Sequence, residues 1–239
     1  MTAHSPMTDP ARHLRRSFVY RRLCEAGAVF EACGDAAMAM EYPGHAGLAR
    51  RLALVDLSPL PRLGFKGPRA LSWLRRQVGD VPDDNNRAYV LGDGTLVARL
   101  ADTEALILCD TAVSGATIAA LEEADLIAGA YPAPRRDSHA WFVLCGDLAV
   151  DCLQKLCGVD LRPQRFADLA IAQTSLARLS AILIRQDRGT VPSFHILADS
   201  ASALYLWDSL TDAMDEFLGA PAGWKALRDL EPPSRKPPR

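Results

Sequence analysis

The residues of this chain that could do chemistry are few and scattered. Asp93 stands between Gly92 and Gly94. A carboxylate there can serve as an acid or base, but aspartate between glycines is also what a tight turn prefers. The turn is the simpler use. Arg99 and Arg185 fall in strand-like runs. A guanidinium grips a carboxylate in bidentate fashion, so each suits a ligand or partner carboxylate, and each equally suits a solvated strand position. His195 lies between Phe194 and Ile196 and so faces away from both. Its ordinary titration range makes it a conceivable switch, though a surface or interface position is expected. The chain holds six cysteines and five histidines, with no Cys-x-x-Cys pair. That spacing argues against a zinc or iron–sulfur centre. Cys152 and Cys157 do not share a helical face closely, so no redox pair is expected. There is no Gly-x-Ser-x-Gly elbow, no phosphate loop and no dinucleotide fingerprint.

The elements that must position these residues show a duplication. Residues 57–74 read as a short strand, a Gly-Pro corner and an amphipathic helix. A weaker echo returns at residues 143–153, with Gly67 mapping to Gly146, Ala70 to Ala149, Leu74 to Leu153 and Val78 to Cys157. Repetition at a fixed offset points to two related halves. Apolar periodicity predicts helices over 18–26, 68–78, 114–124 (with Ser114 as N-cap), 147–156 and 200–217. Strands are predicted over 52–57, 62–66, 87–91, 95–100, 105–109, 141–145, 173–179, 181–186 and 192–198. Residues 28–42 fit no pattern clearly. Hairpin connections dominate, so the fold class is α+β, with two related α/β lobes and mainly antiparallel sheets. The expected boundaries are a flexible lead at 1–16, a first lobe at 17–131, a second at 138–219 and a Pro-rich tail at 220–239, with Pro132-Ala133-Pro134 as linker. Trp73 and Trp207 are expected to be packing residues.

The 27 basic and 29 acidic side chains nearly cancel, which does not suit a nucleic-acid binder. No stretch approaches the ~20 apolar residues of a membrane span. No signal peptide is visible at residues 1–10. The expectation is a cytoplasmic protein.

Three segments carry a family resemblance. They are Ser17-Phe18-Val19-Tyr20-Arg21-Arg22-Leu23 with Gly27-Ala28; Val55-Asp56-Leu57-Ser58-Pro59-Leu60 running into Phe65-Lys66-Gly67-Pro68-Arg69-Ala70; and a series from Val159-Asp160-Leu161 through Phe166, Ala172-Gln173-Thr174, Ile184-Arg185 and Phe194-His195-Ile196-Leu197 to Ser202-Ala203-Leu204-Tyr205-Leu206-Trp207. Their order over residues 17–217 resembles the folate-binding aminomethyltransferase superfamily of the glycine-cleavage T-protein. Within it, the chain is most similar to the gamma subunit of heterotetrameric sarcosine oxidase. The resemblance implies tetrahydrofolate as cofactor, with flavin and NAD on partner subunits of an amine-oxidising complex. It places Tyr89 before a turn where the family often has a tyrosine, and makes Tyr89, Arg99 and Arg185 the candidate folate-cavity residues. The chain departs from the catalytic pattern. The segment from Gly92 to Arg99 is short and lacks the family's acid/base aspartate after its glycine turn. The glycine–glutamate that holds a pterin has no match near 185–195, and the C-terminal barrel domain has no counterpart. The cysteine motif of the branch that maintains iron–sulfur clusters is missing too.

Two functions follow from the resemblance. One is an accessory, gamma-like subunit of a sarcosine-oxidase-like N-demethylase that feeds one-carbon units to tetrahydrofolate, without catalytic residues of its own. The alternative is a tetrahydrofolate-binding aminomethyl- or methyl-transfer protein. It would stand alone or be the folate-handling component of another amine demethylase, such as a secondary-amine monooxygenase.

Overall fold

The computed structural model describes residues 7–45, 47–79, 81–109 and 115–230. Each half is built on one strand, one glycine corner and one helix, as the duplication requires. In the first half β4 (Arg62–Lys66) runs through Gly67 into α3 (Ala70–Val78). In the second, β9 (His139–Cys145) runs through Gly146 into α5 (Ala149–Gln154). Both glycines have strongly positive φ, +121° and +124°. The same backbone bonds recur at both corners, save that Pro68 has no N–H to match Asp147. Gly67 N–H donates to Thr103 O and Gly146 N–H to Pro192 O. Ala70 and Ala149 N–H then donate back to the two glycine carbonyls.

Three further strands complete each half: β5 (Arg87–Val90), β6 (Leu96–Ala101) and β7 (Glu104–Leu108) in the first, and β10 (Ile171–Leu176), β11 (Leu179–Arg185) and β12 (Ser193–Asp199) in the second. The remaining pieces of strand are exchanged. β3 (Ala53–Asp56) precedes β4 in sequence but pairs with β9, antiparallel. β8 (Tyr131–Pro132) precedes β9 but pairs with β4. The strand orders are therefore β5-β6-β7-β4-β8 in one sheet and β10-β11-β12-β9-β3-β13 in the other, where β13 (Ala220–Pro221) lies parallel to β3. The expected lobe boundaries at 131 and 138 thus cut through an interlocked structure. Local apolar pattern marks a strand but does not name its neighbour.

The two sheets face each other. Helices α3 and α4 (Ala116–Glu123) cover the outer face of the five-stranded sheet. Helices α1 (Tyr20–Glu25), α5 and α6 (Ala203–Asp215) cover that of the six-stranded one. Strand β9 shows how one sequence serves both layers. Ala140, Phe142 and Leu144 join the outer core, while Trp141, Val143 and Cys145 join the core between the sheets. Both faces of the strand are buried, so it reads as a continuous apolar run, as period-two geometry demands. Trp73 and Trp207 are buried packing residues, 1% and 3% exposed. The sheets are stitched at one edge, where Ala88 N–H donates to Leu169 O and Ile171 N–H to Asn86 O.

Several boundaries differ from the expectation. Residues 28–42 form a hairpin of β1 (Val29–Cys33) and β2 (Ala36–Glu41), whose alanine- and methionine-rich second strand carries no alternation to reveal it. Residues 7–16, expected as a flexible lead, lie along that hairpin. Thr8 N–H donates to Phe30 O, Asp9 caps a 3-10 turn at Pro10–Arg12, and Arg15 pairs with Asp35 and Asp137. The start of the expected tail is core. Strand β13 and α7 (Trp224–Arg228) follow Gly219, and Trp224, Leu227 and Leu230 pack between the sheets. α4 begins at Ala116, and its expected cap, Ser114, lies outside the described residues. α2 (Leu48–Arg51) is a single turn leading into β3.

Candidate functional site

The three residues expected to line a folate cavity do not meet. Tyr89 pairs across to Val97, and Arg99 lies two residues further along the same strand. Both therefore point to the outer face of the five-stranded sheet. Arg185 neighbours Ile184, which faces the inner core, so it points to the outer face of the other sheet, with its guanidinium 5.9 Å from the Phe194 ring centroid. Two sheets separate them.

Each arginine is already engaged. Arg99 donates from Nε to Asn85, from Nη1 to the Pro82 and Asp83 carbonyls, and from Nη2 to Asp102. It staples the loop before β5. Arg185 is buried, grips Asp187 with Nε and Nη2, and donates from Nη1 to Phe166 O. Neither is the solvated strand arginine that its position suggests. Asp93 is a turn residue. It accepts from Thr95 N–H at 2.9 Å and from the Thr117 hydroxyl at 2.6 Å, and those bonds hold its carboxyl below the usual range against a burial effect that raises it. Tyr89 is 42% exposed and lines a cleft of about 410 Å³ with Gln77, Asp93 and Thr117. These groups do not assemble a folate cradle.

The polar side chains that face the interior lie elsewhere. His195 is fully enclosed between the sheets rather than at a surface. Trp141 Nε1–H donates to His195 Nδ1 at 3.0 Å, so the ring proton sits on Nε2, which donates to Gln186 Oε1 at 2.8 Å. Burial, helped by the charge of Arg188, drives its pKa down to about 3. The ring is neutral at pH 7, and its lone pair is already taken by Trp141. It is therefore not a general base. His139 is also pushed down, to about 4, by burial and then by Arg135 and Arg62. Since both histidines hold fewer protons folded than unfolded between roughly pH 4 and 6.5, stability falls as pH drops through that window. The urea midpoint is expected to decline on acidification from pH 7 to 4.5. The slope should approach about 1.4 kcal/mol per pH unit for the enclosed His195 and be smaller for the partly exposed His139, where solvent screens the charge. His195→Gln is expected to flatten that slope relative to the parent, read by urea titrations at several pH values.

A second buried group joins Asp56, Ser17, Ser58 and Arg62. Asp56 accepts from Ser58 N–H at 3.0 Å, and burial raises its pKa against the pull of Ser17, Ser58 and Arg62. Arg62 is 1% exposed and donates to five carbonyls: Ser58 and Leu60 from Nη1, Arg135 from Nε, and Arg136 and His139 from Nη2. Burial lowers even this guanidinium to about 10. The Asp56-x-Ser58 motif and Arg62 together bind the linker between the halves. The sequence signalled Asp56 and Ser58 through the resemblance, but nothing local marked Arg62, because its partners are backbone carbonyls and three of the five are more than 70 positions away.

A cavity of about 500 Å³ opens where the end of β2, α2 and α7 meet. Tyr42 stacks on His45 in its wall, and His45 Nδ1 donates to Pro221 O. Lys225 answers Glu31 and Glu41 there. Among the described residues, no group of three metal-ligating side chains is placed to hold an ion, and no helix is long and apolar enough to cross a membrane.

Comparison with known proteins agrees with this architecture. The GCVT N-terminal domain family matches residues 19–231. No curated protein matches the sequence significantly. Among solved structures, heterotetrameric sarcosine oxidase from Corynebacterium sp. U-96, in complex with pyrrole 2-carboxylate, contributes a chain that superposes with a TM-score of 0.63 at 23% identity. The match covers 86% of this chain and 97% of that one. The glycine cleavage system aminomethyltransferase T from Bartonella henselae superposes with a TM-score of 0.73 at 18% identity, over 91% of this chain. This chain spans 62% of the length of that protein.

Proposed function

Because the chain belongs to the GCVT N-terminal domain family, we propose that it serves as an accessory, gamma-like subunit of a multi-subunit oxidative N-demethylase of small methylated amines. Oxidation of the amine would take place at a flavin on a partner subunit, with NAD also held by partners, and the one-carbon unit released would pass to tetrahydrofolate. No residue of this chain is given a step in that chemistry. The observation that carries the reading is the fate of the expected site. The family frame is kept, while Asp93 is tied into a turn and Arg99 and Arg185 hold the chain together on opposite faces. The likeness to a chain of a heterotetrameric oxidase supports a role inside an assembly. Cytoplasmic placement goes with this proposal.

The test is affinity purification of the tagged chain from native cells. The expected result is co-purification with flavin-containing subunits and amine-dependent oxidase activity in the eluate. The opposing result is a monodisperse monomer that tetrahydrofolate protects against heat, since a ligand at 100 times its Kd stabilises the native state by about 2.7 kcal/mol. That result would establish the transfer-protein alternative. If Tyr89→Phe left the protection unaltered, the cleft beside Tyr89 would be excluded as the binding site.

A further inference from the structure

The cavity between the end of β2, α2 and α7 measures about 500 Å³, within the range of small-molecule sites. Part of its lining is apolar: Ala49 of α2, Ala222 before α7, Ala226 on α7 and Leu230 beyond it. Ala49, Ala222 and Leu230 belong to the core between the sheets, and Ala226 packs against it. That part of the lining is therefore anchored. Three of the four are alanines, which leave open the volume that larger side chains would fill.

The charged lining divides into engaged and free groups. Lys225 Nζ lies 2.9 Å from Glu31 and 3.5 Å from Glu41, so Lys225 and Glu41 answer each other within the chain. Arg50 of α2 and Asp229 at the end of α7 also line the cavity, and both are exposed. Among the described residues neither makes an ion pair or a side-chain hydrogen bond. Each can therefore take a ligand without giving up a bond. His45 adds an acceptor. Its Nδ1 lies 2.8 Å from Pro221 O. A carbonyl only accepts, so the proton is on Nδ1, and in the neutral ring Nε2 keeps its lone pair. No hydrogen bond among the described residues engages that Nε2. One free cation and one free anion suit a ligand that carries both charges. A net anion would meet Asp229 and Glu41, and a net cation would meet Arg50 and Lys225, and like charges brought together select against both.

We propose that this cavity binds a zwitterionic α-amino acid with an apolar side chain. The ligand carboxylate accepts from the Arg50 guanidinium, whose planar fork matches it. The ammonium donates to Asp229 and to His45 Nε2. The side chain lies on Ala49, Ala226 and Leu230, where apolar area supplies the rest of the affinity. The site shares no residue with the Tyr89 cleft and does not depend on the chain's place in a demethylase.

The probe is L-leucine, titrated by isothermal calorimetry and by amide chemical shifts on the full chain. Three counter-probes each remove one feature. Leucinamide lacks the carboxylate, 4-methylpentanoate lacks the ammonium, and glycine lacks the apolar body. The expected result is saturable binding of leucine, at least fivefold tighter than each counter-probe, with shifts centred on Gly44, Gly47 and Ala226. Arg50→Gln and Asp229→Asn change exposed positions and are expected to leave the urea midpoint near the parent's. Arg50→Gln should weaken leucine at least fivefold and leave leucinamide unchanged. Asp229→Asn should weaken leucine to a similar degree and leave 4-methylpentanoate unchanged. The proposal is overturned by a counter-probe that binds as tightly as leucine, by shifts centred elsewhere, by either variant binding leucine like the parent, or by no saturation with leucine.

Discussion

Gly146→Ala is expected to leave no folded protein at 37 °C, and Gly67→Ala to do the same. A Cβ at Gly146 would sit 2.4 Å from the carbonyl carbon and oxygen of Arg51, and one at Gly67 would sit 2.4 Å from Gly129 O. Those neighbours are backbone and cannot swing away. They also carry the chain into the exchanged strands β3 and β8, so relief at either corner means moving the strand that ties the halves together. The φ values of +124° and +121° add strain that only glycine avoids, worth about 1–3 kcal/mol by itself. With the clash, each substitution is expected to cost more than about 3 kcal/mol, a large part of the 5–15 kcal/mol of a typical domain. Gly92→Ala is the control. Nothing lies within 4 Å of its added Cβ, and its urea midpoint is expected to match the parent's. A soluble, cooperatively unfolding Gly146→Ala protein with parental stability would refute the argument.

The same two glycines show what the sequence makes readable. Their spacing revealed the duplication, and their Gly–helix pattern placed α3 and α5, because corner chemistry is local. The pairing of β3 with β9 was not readable, since it is decided by packing between segments far apart in sequence. The hairpin at residues 29–41 escaped because alanine and methionine, buried on both faces, erase the alternation that marks a strand. At the candidate site, residue type was legible but direction was not. Arg99 and Arg185 sit on strands as expected, yet period-two geometry sends them to opposite sides of the molecule. His195 does face away from Phe194 and Ile196, but that face turns out to be the interior, covered by a second sheet that no local signal announces.

Arg62→Met is expected to be the most damaging substitution of a charged residue, by about 3–5 kcal/mol in urea titration. It strands five carbonyls, buried or partly buried, that Arg62 now satisfies and leaves Asp56 without its countercharge. Asp56, already raised by burial, would then take up a proton more readily. The variant's loss relative to the parent should therefore be smaller at pH 5 than at pH 8. Asp56→Asn is expected to cost less, because the Asx turn to Ser58 survives with an amide oxygen. Combining the two should restore part of the loss, as expected for partners in one buried pair. Simple additivity of the two single losses would show that Arg62 acts on the linker alone.

The strand exchange also sets a schedule for synthesis. About 80 residues separate β3 from β9, and at about 5–20 residues per second the ribosome takes roughly 4–16 s to deliver the partner. Through that interval Leu54 and Val55, which end fully covered, lack the strand that pairs with them. A nascent chain halted before residue 139 therefore carries an unpaired apolar strand and should aggregate on release, while one halted after residue 221, with β9 and β13 both available, should not. The first half of this protein is made first but cannot be finished first.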